Sequence, residues 1–342
     1  MLLSQFKCIT AYYTHPIPDQ LTHQFQLSGY TFYHIPNNLE AACRQIINDQ
    51  LHILVFPDIG MQPLITQIAG LRLAPVQCTS WAHPVTSGLP TIDYFLSSDV
   101  MEPENAQEHY VEQLIRLPNI SFSYPKPIIP EVTKTRMDFQ LREDAVIYLS
   151  CQSLYKYLPQ HDYIFPEIAK RVSCAQFAFV ASHQSSHITE PFEQRLQQAF
   201  AKFGLKSDDY CVIVPRQNTI GYLNLMVASD IFLDTFSYSG SLTTLDAIAC
   251  DLPIVTCPGE LMRSRQSYAF LKILGVTETI AKNEAEYIEI AARLGLNLRW
   301  RQSIVQQMRQ HSCYLYDDQV CIAALEEFYQ HVVEKHSIAN NS

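Results

Sequence analysis

The feature that most constrains this chain is a rhythm in its second half. Five short, almost continuously apolar runs occur there: AVIYLSC (145–151), AQFAFVAS (175–182), YCVIVP (210–215), IFLD (231–234) and PIVTCP (253–258). Segments with helical spacing lie between them, at 160–172, 187–203, 219–228 and 241–249. A strand with no polar face must be covered on both sides, and an intervening helix returns the chain to the same sheet edge. The pattern therefore predicts a parallel sheet with helices on both faces. The first half repeats it less regularly. LHILVF (51–56), PVQCTSW (75–81) and DYFLSS (93–98) read as buried strands, with a helix at 62–72. Upstream, 8–14 and 31–35 read as extended, with a helix at 38–49.

Residues 118–144 carry four prolines within thirteen positions and little periodicity, which suits a crossing between domains. Beyond 262 the pattern is nearly all helical. The expectation is an α/β protein of two Rossmann-like domains facing a cleft. The first spans 1–125, a linker 126–144, the second domain 145–310, and C-terminal helices 311–342. No period of repetition suggests a solenoid.

Composition narrows the possible partners. A chain of 342 residues that is 47% hydrophobic and 17% charged has ample material for a core. A net charge of -10, with no basic run, argues against a nucleic-acid-coating surface. No apolar run approaches the roughly 18 residues of a membrane span, and the N-terminus lacks the pattern of a signal peptide. Ten cysteines are scattered without a CxxC pair, most of them in apolar runs, as at Cys174 and Cys250. Buried, reduced thiols and a cytoplasmic location are expected.

In an open parallel sheet, ligands bind beyond the carboxyl ends of the strands. Neither GxGxxG nor GxxxxGK[ST] is present, so hydride transfer and P-loop chemistry lose their main support. Asp-x-Asp is also absent, so a metal-chelated diphosphate lacks its usual carboxylate pair and no metal is expected. The informative stretch is LDTFSYSGSLTTLDAIACDLPIVTCPGE (233–260). Gly240 permits a tight turn, and Ser239 or Ser241 can cap the helix that follows. Its first-turn N–H groups form an anion site at the positive end of the helix dipole. Thr243 adds a hydroxyl, and Asp246, three residues on, offers a carboxylate to two vicinal hydroxyls. The same residue types also favour a helix start for its own sake. Lys156 follows the first strand of this half, where a cation could neutralise a diphosphate without metal, and Arg216-Gln217 follows the third. In the first half, WAHPVTSG (81–88) places His83 after a strand, while Asp49 and His52 flank the start of LHILVF. A histidine paired with a carboxylate could act as a general base.

These segments, with SLYK and SRQSYAFLKILG, resemble the catalytic region of protein O-GlcNAc transferases. The resemblance is greater to bacterial SPINDLY-like members of glycosyltransferase family 41, and it runs from about residue 8 to 330. It implies a GT-B architecture, with the nucleotide sugar held mainly by the C-terminal domain. It also implies that Lys156 and the segment Ser241-Leu242-Thr243 meet the diphosphate and Asp246 the ribose. Pro215, Arg216 and Gln217 run along the nucleobase, and Trp81, His83, Pro84 and Tyr238 line the sugar pocket. Asp49 and His52 correspond to an Asp and a His near the reaction centre.

Three departures accompany the resemblance. The first strand of the N-terminal domain and its histidine loop have no counterpart, nor does the tetratricopeptide array. Ser241 and Tyr222 stand where the family has histidines. The function implied is metal-independent, inverting transfer of GlcNAc or glucose from a UDP-sugar to a protein side chain. A separate repeat-containing partner could present the acceptor. The alternative is a non-catalytic nucleotide-sugar-binding module or the subunit of a complex.

Overall fold

The computed structural model describes residues 9–27, 30–182 and 186–340. The chain forms two compact units: 1–123 with 319–342, and 124–318.

The first unit begins with β1 (Thr10–Tyr13), α1 (Gln20–Leu27), β2 (Thr31–His34) and α2 (Leu39–Asn48). It continues through β3 (Ile53–Phe56), α3 (Pro63–Ala69), β4 (Val76–Ser80), β5 (Tyr94–Ser98) and β6 (Gln113–Leu117). The second unit runs through β7 (Val146–Ser150), α4 (Ile164–Arg171), β8 (Ala175–Val180), α5 (Ser186–Lys202), β9 (Cys211–Val214) and α6 (Thr219–Val227). It closes with β10 (Ile231–Leu233), α7 (Leu242–Ala249), β11 (Ile254–Val255), α8 (Gln266–Ile273), α9 (Glu284–Leu296) and α10 (Leu298–His311). A last helix, α11 (Gln319–Asn340), belongs to the first unit.

In the first unit β1 pairs with β2, and a four-stranded sheet has the order β3-β4-β5-β6; every pairing is parallel. One core lies between α2, α3 and β3, around Ile46, Leu54, Phe56 and Ile68. A second core joins Val76, Cys78, Tyr94, Leu96 and Leu117 to Tyr329 and Val332 of α11. The carboxyl-edge loop 81–88 is fastened by Glu112, 1% exposed, which accepts from the Thr86 hydroxyl and from the Ser87 N–H and hydroxyl.

The second unit carries the order β9-β8-β7-β10-β11, again all parallel. Counted within the unit, this is 3-2-1-4-5, the doubly wound arrangement expected from the five apolar runs. Strands β7, β8, β10 and β11 are buried at almost every position, as continuously apolar runs require, whereas the edge strand β9 is fully buried only at Val214. The proline-rich stretch does not bridge open space. The boundary falls at 123/124, and the residues that follow pack on the second unit. Asn224 accepts from the Thr133 and Lys134 N–H groups, while Arg136 pairs with Asp230 at 2.9 Å.

Nine cysteines are described, all free. Cys43, Cys78, Cys151 and Cys321 are buried as expected, whereas Cys174 and Cys313 are exposed. Cys174 sits in the turn just before β8, outside the apolar run that was expected to cover it. Cys8 lies outside the described residues. Among the described residues no helix is long and apolar enough to cross a membrane.

Candidate functional site

The 3-2-1-4-5 order reverses direction between β7 and β10, so the connections after these two strands leave the sheet on opposite faces. The resulting crevice is the usual ligand position in such sheets. After β7 comes a single 3-10 turn, Leu154–Lys156, and after β10 the loop 234–241 leading into α7.

Asp234 organises that loop. It is 3% exposed and accepts three bonds of 2.7 Å each, from the Gly240 N–H, the Ser239 hydroxyl and the Thr256 hydroxyl. Burial pushes its carboxyl up from the ordinary range, and these donors partly offset the effect. Gly240 is required by close approach. A Cβ there would lie 2.2 Å from the Thr244 hydroxyl and 2.8 Å from that of Thr243.

The expected cap is absent. Ser239 turns its hydroxyl to Asp234 and Ser267, and Ser241 makes no side-chain cap bond. The reason is that Asp234, buried and in need of donors for both oxygens, engages the Ser239 hydroxyl. The first inward helical bonds come from the Thr244 and Leu245 N–H groups, both to the Ser241 carbonyl. Among the described residues, the N–H groups of Ser241, Leu242 and Thr243 therefore have no protein acceptor. The Thr243 hydroxyl beside them is buried and likewise unpartnered. A helix start stabilised for its own sake would fill these positions. Four unused donors at the positive end of a helix instead describe an anion site.

Lys156 approaches from β7. Its Nζ stands 3.7 Å from the centre of the Tyr238 ring and 3.3 Å from Gln152 Oε1, and among the described residues no carboxylate pairs with it. Burial lowers its affinity for a proton. Beneath it, Ser150, Tyr157, Leu233, Asp234, Phe236 and Tyr287 enclose a cavity of about 30 Å³, space for about one water. A cavity of that size is too small for anything larger than a water or two.

Asp246 lies one turn into α7, half-buried. Burial raises its carboxyl to about 6, and the Tyr124 phenol, donating to Oδ1 at 3.2 Å, opposes the rise. Tyr124 has no sequence signal, because its partner is 122 positions away. Tyr222, where the family has histidine, sets its hydroxyl 3.0 Å from the Cys151 sulfur, also near Asp246.

Following β9, Arg216 is exposed and without an ion pair. Gln217 is committed within the protein. Its Oε1 accepts from Lys134 Nζ and its Nε2 donates to the Pro215 carbonyl, each at 2.7 Å. A free Gln217 amide along a nucleobase does not fit these bonds, so Arg216 and the backbone remain for that role.

In the first unit the expected residues separate. Trp81 is 7% exposed, its indole N–H donating to Ser121 and its ring meeting Phe122 edge-on at 4.9 Å. His83 packs on Gly60, where a Cβ would lie 2.7 Å from the imidazole, and burial lowers its proton affinity. Asp58, raised by burial, stands at the same carboxyl edge. Asp49 and His52 precede β3 and so occupy its amino end. The Asp49 carboxylate already accepts from the Tyr12 phenol and Gln45. Asp49 and His52 are thus not brought together with His83, because a strand separates them. Among the described residues no group of three or more His, Cys, Asp or Glu side chains could hold a metal ion.

These features define a class: α/β proteins of the GT-B fold, with open donors at a helix start and a lysine at the switch point of the second unit. The model of glycosyl transferase family 41 matches residues 22–125 and 124–324, and the chain belongs to that family. The SPINDLY protein of Arabidopsis thaliana, described as a probable UDP-N-acetylglucosamine–peptide N-acetylglucosaminyltransferase, is 30% identical over 232 residues. That match covers 65% of this chain and 24% of the relative. The SPINDLY protein of Solanum lycopersicum is 29% identical over 242 residues, covering 70% of this chain and 25% of the relative. The chain thus spans about a quarter of the length of these curated relatives. Among solved structures, a mutant of the Thermobaculum terrenum O-GlcNAc transferase superposes with a TM-score of 0.85 at 23% identity. It covers 97% of this chain and 63% of that one. A glycosyltransferase from Rickettsia africae gives a TM-score of 0.60 at 11% identity, covering 96% and 99%. At these identities the superpositions speak for the fold.

Proposed function

We propose that the chain transfers a sugar from a UDP-sugar to a protein side chain, with inversion and without a metal ion. The names of its relatives favour UDP-GlcNAc over UDP-glucose as donor. The observation that carries the reading is the set of open donors at the start of α7, on the loop whose Tyr238 ring lies under the Lys156 ammonium. When the glycosyl bond breaks, its electron pair stays on the β-phosphate oxygen and negative charge grows there. Prepositioned N–H groups, the Thr243 hydroxyl and the Lys156 ammonium stabilise that charge more in the transition state than in the bound donor. The acceptor oxygen attacks C1 from the opposite face, and its proton passes to a base. The family resemblance names Asp49 and His52 for that role. Both stand at the amino end of β3, however, and the Asp49 carboxylate is taken up by Tyr12 and Gln45, so the base is left unassigned. A soluble cytoplasmic setting and a separate partner that presents the acceptor belong to the same reading.

The test is incubation of the purified chain with UDP-GlcNAc or UDP-glucose and a cell lysate in EDTA, following released UDP and labelled protein. Turnover that persists in EDTA supports the proposal. UDP binding measured by calorimetry, with no turnover on either donor, contradicts it.

A further inference from the structure

Asp246 faces titratable groups from every element around it: Tyr124 at the start of the unit, Tyr316 near its end, Cys151 after β7, Tyr222 on α6 and Cys250 on α7 itself. None of these is a cation. Lys126 is turned to the Tyr316 ring, 5.9 Å from its centre. Among the described residues, the hydrogen bond that reaches the carboxylate comes from Tyr124. A carboxylate removed from water, and lacking an ion pair, depends on its donors to stay charged and to keep one orientation.

We propose that Tyr124 is a positioning residue for the nucleotide: its phenol, donating to one oxygen of Asp246, holds that carboxylate ionised and aims the other oxygen at the ribose hydroxyls. The inference rests on the reading that Asp246 receives the ribose. Its geometry is specific to this contact. Tyr124 begins the second unit, and its carbonyl accepts the Asp317 N–H at 2.9 Å. The backbone behind the phenol is thereby pinned independently of the phenol's own bond. Removing the hydroxyl leaves the ring in place and the Asp246 oxygen without its donor. The carboxyl then takes up a proton more readily, and a protonated Asp246 accepts ribose hydroxyls poorly.

UDP affinity, measured by calorimetry at pH 6 and pH 8 for the full chain, tests this. UDP titrates identically in every sample, so ratios between variants report on the protein. Tyr124→Phe should weaken UDP binding about five-fold at pH 6 and less than about two-fold at pH 8. In an Asp246→Ala background, where residue 246 has no acceptor for the phenol, the same change should add nothing at either pH. An equal loss at both pH values, or no loss at either, overturns the proposal, as does a Tyr124→Phe loss that persists without Asp246. If instead Asp246→Asn binds UDP like the parent chain, the ribose assignment itself fails and this inference falls with it. Melting temperatures of each variant separate a folding defect from a site defect, and a folded Tyr124→Phe chain with a flat ratio counts as refutation.

Discussion

Asp246→Asn should make the protein more stable while making it a poorer nucleotide binder, and the gain should depend on pH in a defined direction. A carboxyl moved from its ordinary 3.8 to about 6 by burial holds its proton more tightly folded than unfolded. Below about pH 4 both states are protonated and the charge contributes nothing. Between pH 4 and 6 the unfolded chain ionises first, so stability falls as pH rises, and above 6 the full penalty is present. Taken at face value the displacement penalises the folded state by about 3 kcal/mol. Solvent reaching the open part of this half-buried group reduces that to about 1–2 kcal/mol. Asparagine carries no charge, and its amide oxygen still accepts from Tyr124. In a unit of roughly two hundred residues, about 1–2 kcal/mol raises Tm by about 3–6 °C. The assay is differential scanning fluorimetry of both chains at pH 7.5 and pH 4.5, with UDP affinity measured at pH 7.5. The Tm gain at pH 4.5 should be about a third of that at pH 7.5. A lower Tm for Asp246→Asn at pH 7.5, or a gain of equal size at both pH values, would refute the reasoning.

Other perturbations have sharp expectations. Lys156→Ala should lower kcat at least about a hundred-fold while changing UDP affinity far less, because the ammonium meets charge that develops late; equal losses would make it a plain binding residue. Gly240→Ala places a methyl against the Thr243 and Thr244 hydroxyls and should weaken UDP binding more than about ten-fold by calorimetry. Unchanged affinity would show that the start of α7 is not the phosphate site. Glu112→Ala strips the acceptor from three half-buried donors and should destabilise the fold by about 1–3 kcal/mol, read as a lowered denaturation midpoint. A midpoint within error of the parent would mean that the 81–88 loop is held by something else.

The second sheet was legible because its strands are covered on both faces. That leaves long apolar runs, and the helix boundaries fall within a few residues of the periodic segments. β6 escaped notice because QLIRL is an edge strand with only its last residue buried, so it lacks both a continuous apolar run and a clean alternation. The eight residues of α1, QLTHQFQL, carry no N- or C-terminal signal in acidic or basic residues. At the candidate site, Lys156 and Asp246 were visible as polar residues after strands or on a helix start. What Asp234 does was not. An aspartate at a strand end looks the same in sequence whether it faces solvent or gathers three donors. Tyr124 and Glu112 act through partners far along the chain, and no local pattern encodes such a pairing. The resemblance gave Asp49 and His52 as neighbours of the reaction centre, yet strand direction sets them at the amino end of β3.

The return of α11 to the first unit has a consequence for how the molecule is made. The sheet face around Val76, Tyr94 and Leu96 is roofed by Tyr329 and Val332, residues that leave the ribosome some two hundred positions later. The second unit is one uninterrupted stretch and can complete itself during synthesis, while the half begun earlier waits with an apolar face uncovered. A stop introduced after residue 318 would leave the second unit whole and the other half prone to aggregate.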